Sequence, residues 1–268
     1  MKTQVKSVLM ACAIVFFMIT EAFIAFALLF NPDKIKSTQI RIVSFYSKIA
    51  LKILRIRLRI THDAAPFQEN HSSGVLIIAN HLSYLDVLML ASVYPLVFVT
   101  SVDLKHDLFL GPLSLIGGSL FVDRKKGLGL KKSINETARL LETGYRIVIF
   151  PEATSTNGKV ILPFKSALMK AAEIAEVPLI PVCISYTGIQ LKNQVMIDTE
   201  PVCYYGNDSF FPHLYRILSF DSISAEIHFF QKTYFFSGDR RNTAELCRNM
   251  IAERYFDRKN NPFLYSLS

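Results

Sequence analysis

The run IIANHLSYLD, residues 77–86, carries an apolar stretch into Asn80-His81 and then, after four intervening residues, Asp86. A histidine can take up a proton near neutral pH. A carboxylate bonded to one of its ring nitrogens fixes the tautomer and steadies the imidazolium. Within one continuous helix, these two side chains would point about 140° apart. They meet only if His81 lies in a strand–helix turn and Asp86 in the first turn of the helix that follows. Ser83 is a good N-cap and puts Asp86 at the third helical position. The plainer reading of the same residues is a capping box, Ser83-x-x-Asp86, in which Asp86 serves only the helix. The chain has no G-x-S-x-G elbow, and Ser83 is a nucleophile candidate by proximity alone. A His–Asp pair without a protein nucleophile suits a substrate that brings its own hydroxyl. The histidine then acts as general base, and the product is an ester.

The elements that must position this pair follow from hydrophobic periodicity. Leu54–Ile60 alternates with period two and reads as a half-exposed strand. Apolar runs predict further strands at Val75–Ala79, Leu96–Thr100, Leu120–Val122, Arg146–Phe150, Leu179–Ser185, Met196–Tyr204 and Ala225–Phe230. Helical patterns fall at Tyr84–Val93, Leu128–Thr143, Phe164–Glu176 and Asn242–Tyr255. Strands alternating with helices predict an α/β fold with a mixed, largely parallel sheet flanked by helices. Ligands in such sheets bind at the carboxyl ends of strands. His81, Arg124 and Glu152 each follow a predicted strand, as residues of one site would.

The 268 residues are 51% hydrophobic, with a formal net charge of +8 and a mean hydropathy of +0.29. A basic, apolar chain points to an anionic membrane surface or phosphate-bearing ligands. Nucleic acid is the rival partner, but the sequence has no zinc-finger or RNP-type motif. The four cysteines, Cys12, Cys183, Cys203 and Cys247, have no CxxC spacing. They read as buried thiols in a reducing compartment, with no metal site or disulfide frame. Ser7–Phe30 carries one charge, Glu21, and is long enough for a membrane helix. A signal peptide is the competing reading, but the apolar run continues past Ala25-Phe26-Ala27. After the Asn31-Pro32 break, Ser37–Arg55 sets Arg41, Lys48, Lys52 and Arg55 on one helical face opposite Ile42, Phe45, Tyr46, Ile49 and Ile53. This pattern suits the lipid headgroup region, with a solvated helix over a protein core as the alternative. If the first helix spans, Lys34, Lys36 and Arg41 outweigh Lys2 and Lys6 and place the body in the cytoplasm. A shallow hairpin in one leaflet is equally allowed. The expected division is residues 1–55 for the membrane helix and basic helix, and 56–268 for the α/β domain.

Four ordered blocks carry a family resemblance. Asn80 to Asp86 resembles the NHxxxxD motif of the glycerolipid acyltransferases, the 1-acylglycerol-3-phosphate and lysophospholipid acyltransferase group. Gly118-Ser119-Leu120-Phe121-Val122-Asp123-Arg124 is similar to that family's GxxFxxR block. Phe150-Pro151-Glu152-Ala153-Thr154 resembles FPEGT, and Val177-Pro178-Leu179-Ile180-Pro181-Val182 the apolar fourth block. The resemblance covers roughly residues 74–190. It implies a glycerolipid acyltransferase-like fold with an N-terminal membrane-associated helix pair, sited on the cytoplasmic face of a membrane, the bacterial inner membrane above all. His81 would deprotonate the acceptor hydroxyl, which attacks a thioester carbonyl, and Asp86 would orient His81. Arg124 would hold the acceptor's phosphate through its planar fork. Glu152 would accept hydrogen bonds from the acceptor's glycerol part, and Gly118 and Thr154 would belong to the same substrate-binding set. The partners implied are membrane lipids, a lysolipid acceptor, and acyl-CoA or acyl carrier protein as co-substrate, with no metal and no resident cofactor.

Outside the blocks, Lys165 is a candidate for a second phosphate contact or a surface lysine at a helix start. Gly127 to Lys132 lacks the third glycine of a dinucleotide fingerprint. Two departures from the family pattern stand out, since FPEGTR is common there and this chain has FPEATS. Ala153 replaces the glycine, so the backbone there is expected to avoid glycine-only conformations. Ser155 replaces an arginine, which favours an acceptor with a further headgroup or a lyso-amino lipid over lysophosphatidic acid. The resemblance thus implies an O-acyltransferase of phospholipid biosynthesis or remodelling. The rivals are a lipid hydrolase or thioesterase using Ser83, and a non-catalytic lipid-binding protein on the same scaffold.

Overall fold

The computed structural model describes residues 2–28, 31–63, 74–123, 127–192, 194–231 and 239–260. Eight strands form one mixed sheet: β1 (Ile56–His62), β2 (Val75–Ala79), β3 (Val97–Ser101), β4 (Leu120–Val122), β5 (Arg146–Ile149), β6 (Leu179–Leu191), β7 (Gln194–Met196) and β8 (Ser222–Phe229). The order is β1-β8-β6-β2-β5-β3-β4, with β7 hairpinned onto β6. All pairings are parallel except those of β6 with β7 and β8. The helices are α1 (Thr3–Ala27), α2 (Pro32–Leu54), α3 (Tyr84–Val93), α4 (Leu110–Ile116), α5 (Leu128–Glu142), α6 (Lys170–Ile174), α7 (Phe210–Ser219) and α8 (Arg240–Asn260).

Strand β2 is central, and all five of its residues are buried. That explains its unbroken apolar sequence, because a parallel strand covered on both faces has no polar side. Ile77 and Ala79 face a core shared with Leu54, Leu85, Met89 and Ile184. Leu76 and Ile78 face the opposite core, with Leu141, Ile147 and Leu179. Strand β2 begins against the end of α5, where Gly74 N–H donates to the Leu141 carbonyl at 3.2 Å. A Cβ at Gly74 would lie 2.2 Å from that carbonyl oxygen and 2.7 Å from the Tyr145 oxygen, so only glycine allows the approach.

The predicted strand Met196–Tyr204 is not a strand beyond Met196. A 3-10 turn, Glu200–Val202, replaces it, since Pro201 has no N–H for a ladder. The expected helix Phe164–Glu176 is shorter, a 3-10 turn at Ala167–Met169 leading into α6. Helices α4 and α7 carry Pro112 and Pro212 in their first turns, where proline costs little. Their Gly and Pro residues hide them from a periodicity reading.

Helices α1 and α2 form an antiparallel-connected pair laid on the body. Among the described residues, α1 is the one helix long and apolar enough to cross a membrane. Its charged residues both turn inward. Lys6 is buried with its Nζ donating to the Phe220 carbonyl at the end of α7, and Glu21 is buried as well. Outward lie Val8, Phe16, Phe23 and Phe26, together with Cys12. The expectation that all four cysteines are buried therefore fails at Cys12, which sits on the apolar outer face. On α2, Arg41, Lys48 and Lys52 are exposed while Ser44, Ser47, Leu51 and Leu54 are buried. The helix ends at Arg55, whose φ of 57° turns the chain into β1. Gly74→Ala is expected to cost about 1–3 kcal/mol, read as a lowered Tm of the detergent-solubilised protein.

Candidate active site

His81 lies two residues past the last residue of β2, Ala79, at the carboxyl edge of the sheet. The strand's hydrogen-bond ladder is carried one step further by a side chain. Asn80 Nδ2 donates to the Ile184 carbonyl at 2.9 Å, and its Oδ1 accepts from Ile184 N–H at 2.8 Å. The buried carboxamide thus substitutes for main chain just past the Ala79–Val182 register pair, where β2 peels away from β6. This fixes the direction in which His81 leaves the sheet.

His81 Nδ1 lies 2.9 Å from Asp86 Oδ2. The ring is stacked on Phe150, centroids 4.1 Å apart and planes at 18°, and its side chain is 22% exposed. Asp86 is fully buried. Its Oδ2 also accepts the N–H groups of Leu82 at 2.6 Å and Ser83 at 2.9 Å, and its Oδ1 accepts the Tyr186 hydroxyl at 2.7 Å. The capping role and the pairing role, read from the sequence as alternatives, are therefore held by the same carboxylate. An ionised Asp86 accepts at every contact, so Nδ1 carries the proton and Nε2 is the ring's basic nitrogen.

Glu152 was expected to face an acceptor. It is 4% exposed, with Oε1 accepting His81 N–H at 2.9 Å and Oε2 accepting Leu162 N–H at 2.8 Å. Burial pushes its pKa upward, opposed by those two main-chain bonds. It ties the loop after β5 to the His81 turn and has little surface left for a ligand. Gly118 lies at the turn before β4, with φ 73° and its carbonyl accepting from Lys36 Nζ at 3.1 Å. Thr154 and Lys165 flank the loop after β5. Thr154 Oγ1 contacts the Ser155 carbonyl at 3.4 Å, and Lys165 is exposed, its N–H on the Pro151 carbonyl at 3.0 Å. Arg124 lies outside the described residues.

Ala153 has φ 66°, contrary to the expectation for a residue that replaces glycine. The turn takes a left-handed step at residue 153, and the alanine Cβ bears the cost. Ser155, in place of the arginine, donates its hydroxyl to the Tyr204 carbonyl. The Tyr204 segment lies across the site, since its N–H donates to Leu82 O at 2.8 Å and its ring meets Tyr84 edge-on. His213 on α7 holds this segment. It donates from Nε2 to the Cys203 carbonyl at 3.0 Å and accepts at Nδ1 from the Tyr84 hydroxyl at 3.0 Å. Burial, helped by the nearby Arg216 charge, pushes its pKa down to about 4. The clasp made by Asn80, and the parts played by Tyr186, Tyr204 and His213, escaped the sequence reading. Tyr186 lies four residues beyond the fourth block, and nothing in the sequence pairs it with residue 86.

A sequence model of the family described as "Acyltransferase" matches residues 59–185. The chain is 28% identical over 221 residues to the lyso-ornithine lipid O-acyltransferase of Rhizobium meliloti (strain 1021), covering 80% of this chain and 74% of that protein. It is 29% identical over 193 residues to the 1-acyl-sn-glycerol-3-phosphate acyltransferase of Neisseria gonorrhoeae, 70% of each chain. The fold resembles the crystal structure of the 1-acyl-sn-glycerophosphate acyltransferase from Thermotoga maritima, with a TM-score of 0.67 over 95% of this chain and 94% of that one at 15% identity. The chain is thus similar, over most of its length, to acyltransferases named for lyso-ornithine lipid and 1-acyl-sn-glycerol-3-phosphate.

Asn80→Ala leaves both main-chain groups of Ile184 unpaired and is expected to cost about 1–3 kcal/mol in thermal unfolding. Ala153→Gly relieves the left-handed step and is expected to raise stability by up to about 1 kcal/mol. Because His213 is neutral in the fold and its pKa is about 4, the unfolded chain binds the extra proton below about pH 6.5. Stability is therefore complete above that value and declines as pH falls toward 4. His213→Gln is expected to flatten that part of the stability–pH curve.

Proposed function

We propose that the protein is a membrane-associated O-acyltransferase that moves a fatty acyl group from a thioester donor, acyl-CoA or acyl carrier protein, to a lysolipid hydroxyl. The observation that carries this reading is His81 Nδ1 held at 2.9 Å by a fully buried Asp86, with the imidazole partly exposed beside the FPEAT loop. Nε2 takes the proton as the acceptor oxygen attacks the thioester carbonyl carbon. The tetrahedral intermediate collapses, the carbon–sulfur bond breaks, and the thiolate leaves with the proton returned by His81. Asp86 steadies the imidazolium between those steps.

Arg124 is assigned the acceptor's anionic group, with Thr154 and Lys165 on the neighbouring loop. Ser155 spends its hydroxyl on Tyr204, so the cation common at this position in the family is absent. That favours an acceptor whose phosphate is substituted, or an amino-acid lipid, over a phosphomonoester. The Rhizobium relative's lyso-ornithine lipid substrate is consistent with this choice.

The outer face of α1, with the exposed Leu115 on α4 and Phe211 on α7, forms the lipid-facing surface. Because α1 packs on α2, α4 and α7, the body itself would sit at membrane depth. This favours the shallow hairpin over a free-standing span, with the site on the cytoplasmic face. Ser83 is fully buried, which weighs against a serine hydrolase.

Membranes containing the wild-type protein, supplied with labelled acyl-CoA or acyl carrier protein and a panel of lyso-lipids, are expected to form the acylated product. His81→Ala and Asp86→Asn are each expected to lower the rate by about 10²–10⁴-fold. Wild-type-like transfer by His81→Ala would remove the reading. Free fatty acid released without an acceptor, and lost in Ser83→Ala, would support the hydrolase instead.

A further inference from the structure

Strand β6 meets the dyad with a side chain as well as with its main chain. Two positions beyond Ile184, which holds Asn80, the Tyr186 hydroxyl donates to Asp86 Oδ1 at 2.7 Å. Both groups are buried. Asp86 Oδ2 takes three donors, from His81, Leu82 and Ser83, all from the same turn. Tyr186 fixes the opposite oxygen and draws negative charge toward itself.

The other titratable groups near the dyad are engaged elsewhere. Glu152 accepts from His81 N–H and Leu162 N–H. Cys203 Sγ points to the Thr199 carbonyl at 3.8 Å, and Tyr255 on α8 donates to the Gly158 carbonyl at 3.0 Å. Among these neighbours, the phenol of Tyr186 is the group that bonds the far side of Asp86.

We infer that Tyr186 is a positioning residue for the His81–Asp86 pair, holding the carboxylate in plane and drawing off part of its charge. The inference rests on the reading of His81 as general base. Removing the phenol has two consequences with the same sign. A carboxylate without its fourth donor protonates more readily, and while ionised it holds an imidazolium more tightly. Either change moves the acid limb of the pH–rate profile upward.

The test is the pH dependence of acyl transfer by full-length protein in membranes, for wild type, His81→Ala, Tyr186→Phe and protein carrying 3-fluorotyrosine at 186. Tyr186→Phe keeps the buried ring, and it is expected to raise the acid limb by roughly one pH unit and lower kcat about tenfold, with KM little changed. The fluorinated phenol is a stronger donor of nearly the same shape and is expected to move the limb downward, even if the phenylalanine variant folds poorly. A purely structural tyrosine would alter the amount of folded enzyme and leave the limb in place. An unmoved limb in both variants, with His81→Ala inactive, overturns the inference alone. An active His81→Ala overturns the base assignment beneath it.

Discussion

One carboxylate, Asp86, carries a charge with no access to water, and the local architecture is built to satisfy it. An ion in that position is tolerated only when its lone pairs are taken by donors. Four are supplied: His81 from the strand–helix turn, two main-chain N–H groups from the same turn, and Tyr186 from the neighbouring strand. The turn supplies its donors only when β2 stops at Ala79, and β6 supplies its hydroxyl only when it runs alongside β2. The sheet order β6-β2-β5 is thus also the order of the support beneath the imidazole, with Tyr186 on one side and Phe150 with Glu152 on the other.

Much of this was legible in the residues. Val75–Ala79 and Tyr84–Val93 were bounded correctly, because a fully buried strand and a capped helix each write their period plainly. The capping geometry allowed Asp86 to reach His81, while leaving open a carboxylate that served the helix alone. What was hidden depended on contacts distant in sequence. Nothing local to Tyr186 marks it as a partner of residue 86, one hundred positions away. Asn80 looked like half of a motif, and its clasp on Ile184 needs the register of β6. Glu152 was assigned to the acceptor because the family resemblance implied that role; here two main-chain donors draw it in. The Met196–Tyr204 stretch had the apolar content of a strand, but Pro201 forbade one.

The departures from the family pattern have a common logic. Ala153 holds a left-handed turn that a glycine would adopt at less cost. Ser155 no longer reaches outward and instead fastens the segment at Tyr204, which His213 holds from the other side. The wall near the dyad is therefore more neutral and more firmly tied than an arginine would make it.

The first two helices are wired into the body. Lys36 Nζ and Gln39 Nε2 donate to the carbonyls of Gly118 and Ile116, which shape the turn leading into β4, and α2 also packs on α3, the helix that carries Asp86. Removing α1 and α2 would strip these carbonyls of their donors and bare the apolar side of α3. A protein shortened in this way would thus fail as a surrogate for the intact one, and purification must carry both helices along.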